Sequence, residues 1–235
     1  MKHILLISAV ILNVILITIL AYAIHRLGGP NAILSRIRNG GVAETYIHRT
    51  KILQSLHMDS TNIIFLGNSL TEYGEWSEFF KNPNIRNRGI AGEFTDGILR
   101  RLTPITTAKP QQIFLLIGVN DLILYRPPHI LNNYREIVNR ITTETPNTQL
   151  IIQSLLPVNN EVKNTGLSNA DIDSINKGIN KIATEYNLLY VDLHTLMKNS
   201  DGLLNPDFTS DGIHLNDKGY SVWINKIQDL VNQPQ

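Results

Sequence analysis

The rhythm of hydrophobic and polar positions changes twice along the chain. From Ile4 to Ile24 it has 21 residues without a charge, and Ser8, Asn13 and Thr18 are the only clearly polar ones. About 20 apolar residues are enough to span a bilayer as a helix, so the pattern predicts a transmembrane anchor over residues 1–25. A cleaved signal peptide is the closest rival, because Ala21-Tyr22-Ala23 resembles a small-x-small cleavage site. The apolar run exceeds the ~7–15 residues of a signal peptide, which favours an uncleaved anchor. A short N-terminal flank followed by one apolar span is the usual layout of an export signal. It places the rest of the chain in the periplasm or at the cell surface, secreted if the segment is cleaved. Lys2 precedes the span and Arg26, Arg36 and Arg38 follow it, so charge counting does not decide the side and even argues for a cytoplasmic domain. Next come the breakers Gly28-Gly29-Pro30 and Gly40-Gly41 and a helical pattern over 42–58; residues 26–58 read as linker and lead-in helix.

From residue 61 the pattern alternates between short apolar runs and longer amphipathic ones. Strands are predicted at Ile63–Leu66, Ile113–Ile117, Leu150–Leu156 and Leu188–Leu193, with a more polar one at Asn84–Arg88. Ile130, Tyr134, Ile137, Val138 and Ile141 share one helical face. So do Ile172, Ile175, Ile179 and Ile182, with Asp171 as N-cap, and Trp223, Ile227, Leu230 and Val231, with Asn216 as cap. Nearly continuous apolar strands separated by helices predict an α/β domain over 59–235, its parallel sheet covered on both faces. Ligands of such sheets bind beyond the carboxyl ends of the strands.

Composition narrows the chemistry. Lys and Arg total 21 against 20 for Asp and Glu, a net charge of +1, which gives no support for a nucleic-acid partner. The chain has no cysteine, which excludes disulfides, zinc thiolates and a cysteine nucleophile. The histidines are scattered, and neither Gly-x-Gly-x-x-Gly nor a phosphate-binding Gly-Lys-Ser/Thr occurs, so no metal or cofactor is expected.

Four short blocks fall at strand ends or before the last helix. In "IIFLGNSLTEYGEW" (63–76), Ser69 follows an apolar strand and Gly67-Asn68; a serine there is commonly a turn or cap residue. The α/β-hydrolase elbow Gly-x-Ser-x-Gly is absent, because Thr71 stands at the second glycine position. In "NRGIAGE" (87–93), two glycines let backbone N–H groups approach a ligand or simply make a turn. In "LLIGVND" (115–121), the Asn120 amide follows a buried strand, where it can donate to an oxyanion or cap a helix. In "SDGIHLNDKGY" (210–220), one tight turn can bring Asp211 to His214 Nδ1 and leave Nε2 free as a base. His194, two residues after Asp192, is the nearest competitor and reads as a strand end.

Gly67-Asn68-Ser69-Leu70, Gly92, Asn120 and Asp211-x-x-His214 occur in the order of the blocks of the SGNH hydrolases, also called GDSL-type esterases, and the resemblance runs from about 61 to 231. "NRGIAG" is similar to the platelet-activating-factor acetylhydrolase catalytic subunits and to bacterial carbohydrate acetylesterases. The resemblance implies a three-layer α/β/α flavodoxin-like domain with a five-stranded parallel sheet behind the N-terminal transmembrane helix. It implies Ser69 as nucleophile, His214 as general base and Asp211 as its orienting carboxylate. The oxyanion hole would then use the Ser69 N–H, the Gly92 N–H (rather than that of Gly89) and the Asn120 side chain. Asn68 departs from the usual Asp, which touches local hydrogen bonding more than catalysis.

These residues imply a two-step ester hydrolase. A short-acyl (acetyl) esterase acting on a glycan or small acetylated substrate is the first expectation. A lysophospholipase or thioesterase is the rival, and a catalytically silent, membrane-anchored binding module is the alternative from another class. Tyr73 and Trp76 are candidates for lining the substrate pocket, although Trp76 could equally pack the first helix onto the sheet. The oligomeric state is not legible in the sequence.

Overall fold

The computed structural model describes residues 2–26, 44–125 and 127–231. The chain divides into two compact units, Met1–Arg49 and Thr50–Gln235. Helix α1 (Lys2–Arg26) belongs to the first, and α2 (Glu44–Ser55) runs from the first into the second. The expected linker lies, from residue 27 to 43, outside the described residues.

The expected N-terminal transmembrane span is corrected. Among the described residues, no helix is long and apolar enough to cross a membrane. Membrane anchoring and the extracytoplasmic placement built on it are therefore withdrawn.

The second unit continues in chain order with β1 (Ile63–Gly67), α3 (Ser69–Glu72), α4 (Trp76–Phe79), β2 (Ile85–Gly89), α5 (Thr95–Arg100), α6 (Thr103–Ala108) and β3 (Gln112–Leu116). After a 3₁₀ turn at Asn120–Ile123 come α7 (Pro127–Glu144), β4 (Gln149–Gln153), α8 (Asn169–Glu185), β5 (Leu189–Val191), α9 (His194–Met197) and α10 (Asp217–Val231). The strands form one parallel sheet in the order β2-β1-β3-β4-β5, the flavodoxin-like doubly wound order. Every residue of β1 and β3 is buried, as strands covered on both faces must be.

Phe65 of β1 stacks between Phe114 (4.8 Å) and Trp76 (4.3 Å), and Trp76 meets Trp223 of α10 edge-on at 4.9 Å. The helical faces predicted for α7 and α8 are those buried. Asn216 caps α10, its carbonyl oxygen accepting the Gly219 N–H. Asp171 does not cap α8: Ser168 occupies that position, and Asp171 lies inside the first turn, where its negative charge complements the helix dipole's positive end. β5 is shorter than expected because Ser154 Oγ accepts the N–H groups of both Leu193 and His194, turning the chain out of the sheet.

The order 2-1-3-4-5 reverses direction at β1 and β3, and crossovers leave a crevice beyond the carboxyl ends of those strands. Ser69 lies two residues past β1, and Asn120 four residues past β3.

Candidate active site

Ser69 is the first residue of α3, and the loop before it is held tightly. The Asn68 carbonyl oxygen of the side chain accepts the Leu70 N–H at 3.0 Å, capping the helix as the more usual Asp would. The Asn68 amide nitrogen is buried and has no hydrogen-bond partner among the described residues. The Tyr220 hydroxyl of α10 donates to the Leu70 carbonyl at 2.7 Å. Asn87, on β2, donates to the Thr71, Glu72 and Gly74 carbonyls at 2.9–3.0 Å and accepts the Gly89 N–H. At Gly89 a Cβ would meet the Glu72 nitrogen at 2.2 Å, so the close approach of β2 to α3 requires glycine.

His214 approaches from the loop before α10. Its Nε2 is 3.0 Å from Ser69 Oγ, and its Nδ1 is 2.7 Å from Asp211 Oδ2. The other Asp211 oxygen accepts the N–H groups of His214 (2.8 Å) and Ile213 (3.0 Å), which fixes the carboxylate through local turn geometry. A carboxylate facing Nδ1 keeps the proton there and turns the Nε2 lone pair toward the serine hydroxyl. Burial alone would raise the Asp211 pKa; the bonds from the His214 ring and from the His214 and Ile213 amides outweigh it and hold the carboxyl down at about 2. Ser69 is buried to 8% exposure, whereas His214 and Asp211 are half-buried, so the pair opens to solvent at its rim.

The donor side is built from two loops. Gly92 is exposed and has φ +75°, with no atom within 4 Å of where a Cβ would stand, so its need for glycine is conformational rather than spatial. No acceptor for the Ser69 or Gly92 N–H occurs among the described residues. The Asn120 amide donates to the Glu93 carbonyl at 2.9 Å, which brings the loop after β3 against the loop after β2 and leaves its second N–H available. Glu72 accepts the Ala91 N–H at 2.5 Å, and Arg101 Nε donates to Glu93 Oε2 at 2.6 Å. Asp121, fully buried, accepts the Thr95 N–H and hydroxyl, and burial pushes its pKa up to about 6.

The structure thus brings together Ser69, His214 and Asp211 in one hydrogen-bonded chain. The Tyr73 ring, 53% exposed, lies 5.3 Å from the His214 ring. Trp76 does not join them. It is 1% exposed, its Nε1 donates to the Thr71 carbonyl at 2.7 Å, and its ring fills the core between Phe65 and Trp223, so the pocket reading for Trp76 is corrected to a packing one. The competitor His194 is also accounted for: Asp192 accepts the Thr195 N–H instead of pairing with it, and His194 Nε2 pairs with Asp173 at 2.6 Å. Among the described residues, no group of three or more His, Cys, Asp or Glu side chains is placed to hold a metal ion. Sequence reading passed over Asn87, Glu93 and Arg101. Asn87 and Glu93 were signalled only as polar residues inside the 87–93 block, and Arg101 lies in no motif at all.

A doubly wound sheet with a serine, a histidine–carboxylate pair and free N–H groups at its switch point describes an acyl-transfer hydrolase. The chain belongs to the GDSL-like lipase/acylhydrolase family, whose model matches residues 65–222, and it is a carboxylic ester hydrolase. The rat platelet-activating factor acetylhydrolase IB subunit alpha2 is 26% identical over 179 residues, covering 73% of this chain and 76% of that protein. A Streptococcus pneumonia structure described as a platelet activating factor superposes with TM-score 0.75 at 26% identity, covering 85% of this chain and 99% of its own. The acetyl xylan esterase AlAXEase shares the fold, with TM-score 0.62 at 20% identity over 72% of this chain and 99% of its own.

Proposed function

We propose that Ser69, His214 and Asp211 form the catalytic triad of a short-acyl esterase, which removes acetyl groups from a glycan or a small acetylated substrate. The observation that carries the reading is the continuous chain from Asp211 through His214 to Ser69 Oγ, with distances of 2.7 and 3.0 Å. His214 Nε2 takes the hydroxyl proton as Ser69 Oγ attacks the ester carbonyl carbon. The carbonyl oxygen becomes an oxyanion, held by the Ser69 and Gly92 N–H groups and the Asn120 amide. As the intermediate collapses, the C–O bond to the alcohol breaks and His214 returns the proton to the leaving oxygen. Water then attacks the acyl-enzyme, giving its proton to His214, and the acid and free serine are released. Asp211 keeps Nδ1 protonated throughout and stabilises the imidazolium without taking its proton.

The acetyl preference rests on the acetylhydrolase named among the relatives, and the exposed face of Tyr73 beside His214 offers the alcohol part a stacking surface. A second reading, hydrolysis of a longer lipid acyl chain, is favoured by one observation: Ile123 and Leu124, just after Asn120, are 64% and 67% exposed. p-Nitrophenyl esters from acetate to palmitate, acetylated sugars and lysophospholipids, assayed on the purified chain and its Ser69→Ala variant, separate the two. Acetate esters should be cleaved fastest, with activity lost in Ser69→Ala; rates rising with chain length would replace the acetyl reading by the lipid one.

A further inference from the structure

The Arg101–Glu93 pair is placed too deep and joined to too many parts of the site to serve only as packing. Arg101 closes the end of α5 and is 6% exposed; Glu93, directly after Gly92, is 1% exposed. The guanidinium reaches three places at once. Nε donates to Glu93 Oε2 at 2.6 Å, while Nη2 donates to the Arg88 carbonyl at 2.9 Å and to the Gly67 carbonyl at 3.3 Å. Gly67 ends β1 two residues before Ser69, and Arg88 precedes the last residue of β2. Glu93 extends the connection through its backbone, because its carbonyl accepts the Asn120 amide at 2.9 Å. One side chain therefore ties together the segments that carry Ser69, Gly92 and Asn120.

Taking two charges out of water is costly, and replacing a buried ion pair with apolar residues is often neutral or stabilising. The sheet does not depend on this pair, since β1 and β2 are already joined along their length by main-chain bonds. What the pair adds is a fixed distance between the end of β1 and the Ile90–Glu93 turn, which holds Gly92 at φ +75°. An oxyanion donor works only when it is already in place as charge develops.

Building on the proposed triad mechanism, we infer that Arg101 is a positioning residue of the oxyanion site, acting through Glu93 to hold the Gly92 and Asn120 donors at a set distance from Ser69. A purely structural pair would lower stability and leave turnover per folded molecule unchanged. A positioning pair lowers kcat and leaves substrate binding alone.

The test compares Arg101→Lys, Arg101→Met and the double variant Glu93→Gln/Arg101→Met with the parent chain, on p-nitrophenyl acetate, by thermal melting and by inhibition with phenyl trifluoromethyl ketone, whose serine adduct carries an oxyanion. A lysine keeps the charge but lacks the fork that meets carboxylate and carbonyls together. The expected result for Arg101→Lys is a fall in kcat of about 10²-fold, the scale of an ångström-sized misplacement, with KM within about threefold and a parallel loss of ketone affinity. The double variant should regain part of the melting temperature lost by Arg101→Met, because the Glu93 carboxylate is neutralised together with the guanidinium it faced, without regaining kcat. Parent-level kcat in folded Arg101→Lys, or kcat returning in step with stability in the double variant, would overturn the inference. An inactive parent chain, or one whose activity survives Ser69→Ala, would instead defeat the triad reading on which it rests.

Discussion

Among the described residues, two histidines are hydrogen-bonded to a carboxylate, His214 and His194, and they differ in what the second ring nitrogen faces. In His214, Nδ1 faces Asp211 and Nε2 faces the Ser69 hydroxyl. In His194, Nε2 faces Asp173, which also accepts from Lys198, and Nδ1 lies 3.0 Å from the Leu155 carbonyl. Leu155 is itself pinned by Asn176, whose side chain bonds both its N–H and its carbonyl. His194 is therefore spent on holding α9 to the chain after β4, at 5% exposure, while His214 presents its second nitrogen to the Ser69 hydroxyl. A carboxylate partner alone does not make a base; an uncommitted lone pair next to a hydroxyl does.

The sharpest way to break this contrast is to change each ring. His214→Gln should reduce turnover on p-nitrophenyl acetate by about 10⁴-fold or more with little change in melting temperature. His194→Gln should do the reverse, lowering the melting temperature while turnover per folded molecule stays within a few-fold of the parent. Equal losses of activity in the two would erase the distinction. Asp211→Asn should cost about 10³–10⁴-fold, because the amide no longer holds Nδ1–H in the required tautomer. Steady-state kinetics on a circular-dichroism-matched sample checks it. Asn120→Ala should cost about 10²–10³-fold in kcat, the loss of one oxyanion donor, with KM nearly unchanged.

The smallest effect expected is on pH dependence, and here two carboxyls have opposite signs. Asp121 has a folded pKa of about 6 against an ordinary 3.8, so burial makes its ionised form a cost to the folded state. That cost is full above pH 6 and is relieved as pH falls from 6 toward 3.8, where the folded state binds the proton first. Asp211 sits at about 2, so its contribution is present above pH 3.8 and is lost as pH falls toward 2; being more than a third exposed, it contributes modestly. Melting curves should therefore show Asp121→Asn gaining relative to the parent as pH rises from 4 to 7, and Asp211→Asn differing in pH dependence only below pH 4. A flat difference between the Asp121→Asn and parent curves would contradict the buried-charge account.

Much of this contrast was legible in the residues. Continuous apolar runs such as Ile63–Leu66 and Leu150–Leu156 located strands to within a residue or two at most ends, because buried parallel strands leave no polar position to confuse the pattern. Asp211-x-x-His214 was legible because its geometry is local, closed within one turn. Trp76 was not, since a Trp after a nucleophile motif reads equally well as pocket wall or core, and only the stack on Phe65 decides. The partner of His194 was hidden because Asp173 is 21 residues away on α8, while Asp192, two residues away, points into a turn. The roles of Arg101 and Glu93 were hidden for the same reason: Arg101 reaches the distant Gly67 and Arg88 carbonyls, and the Glu93 carbonyl accepts from Asn120, 27 residues away. The N-terminal apolar run shows the opposite failure, in which composition alone predicted a membrane span that no described helix provides.

The most direct test of the central claim is to trap the acyl group. The chain is mixed with p-nitrophenyl acetate carrying a ¹³C-labelled acetyl group, quenched in acid within the first turnovers and digested for peptide mass spectrometry. The account predicts labelled acetyl on Ser69, absent in Ser69→Ala, strongly slowed in His214→Gln and present in His194→Gln. Label on another residue, with turnover undiminished in Ser69→Ala, would contradict it.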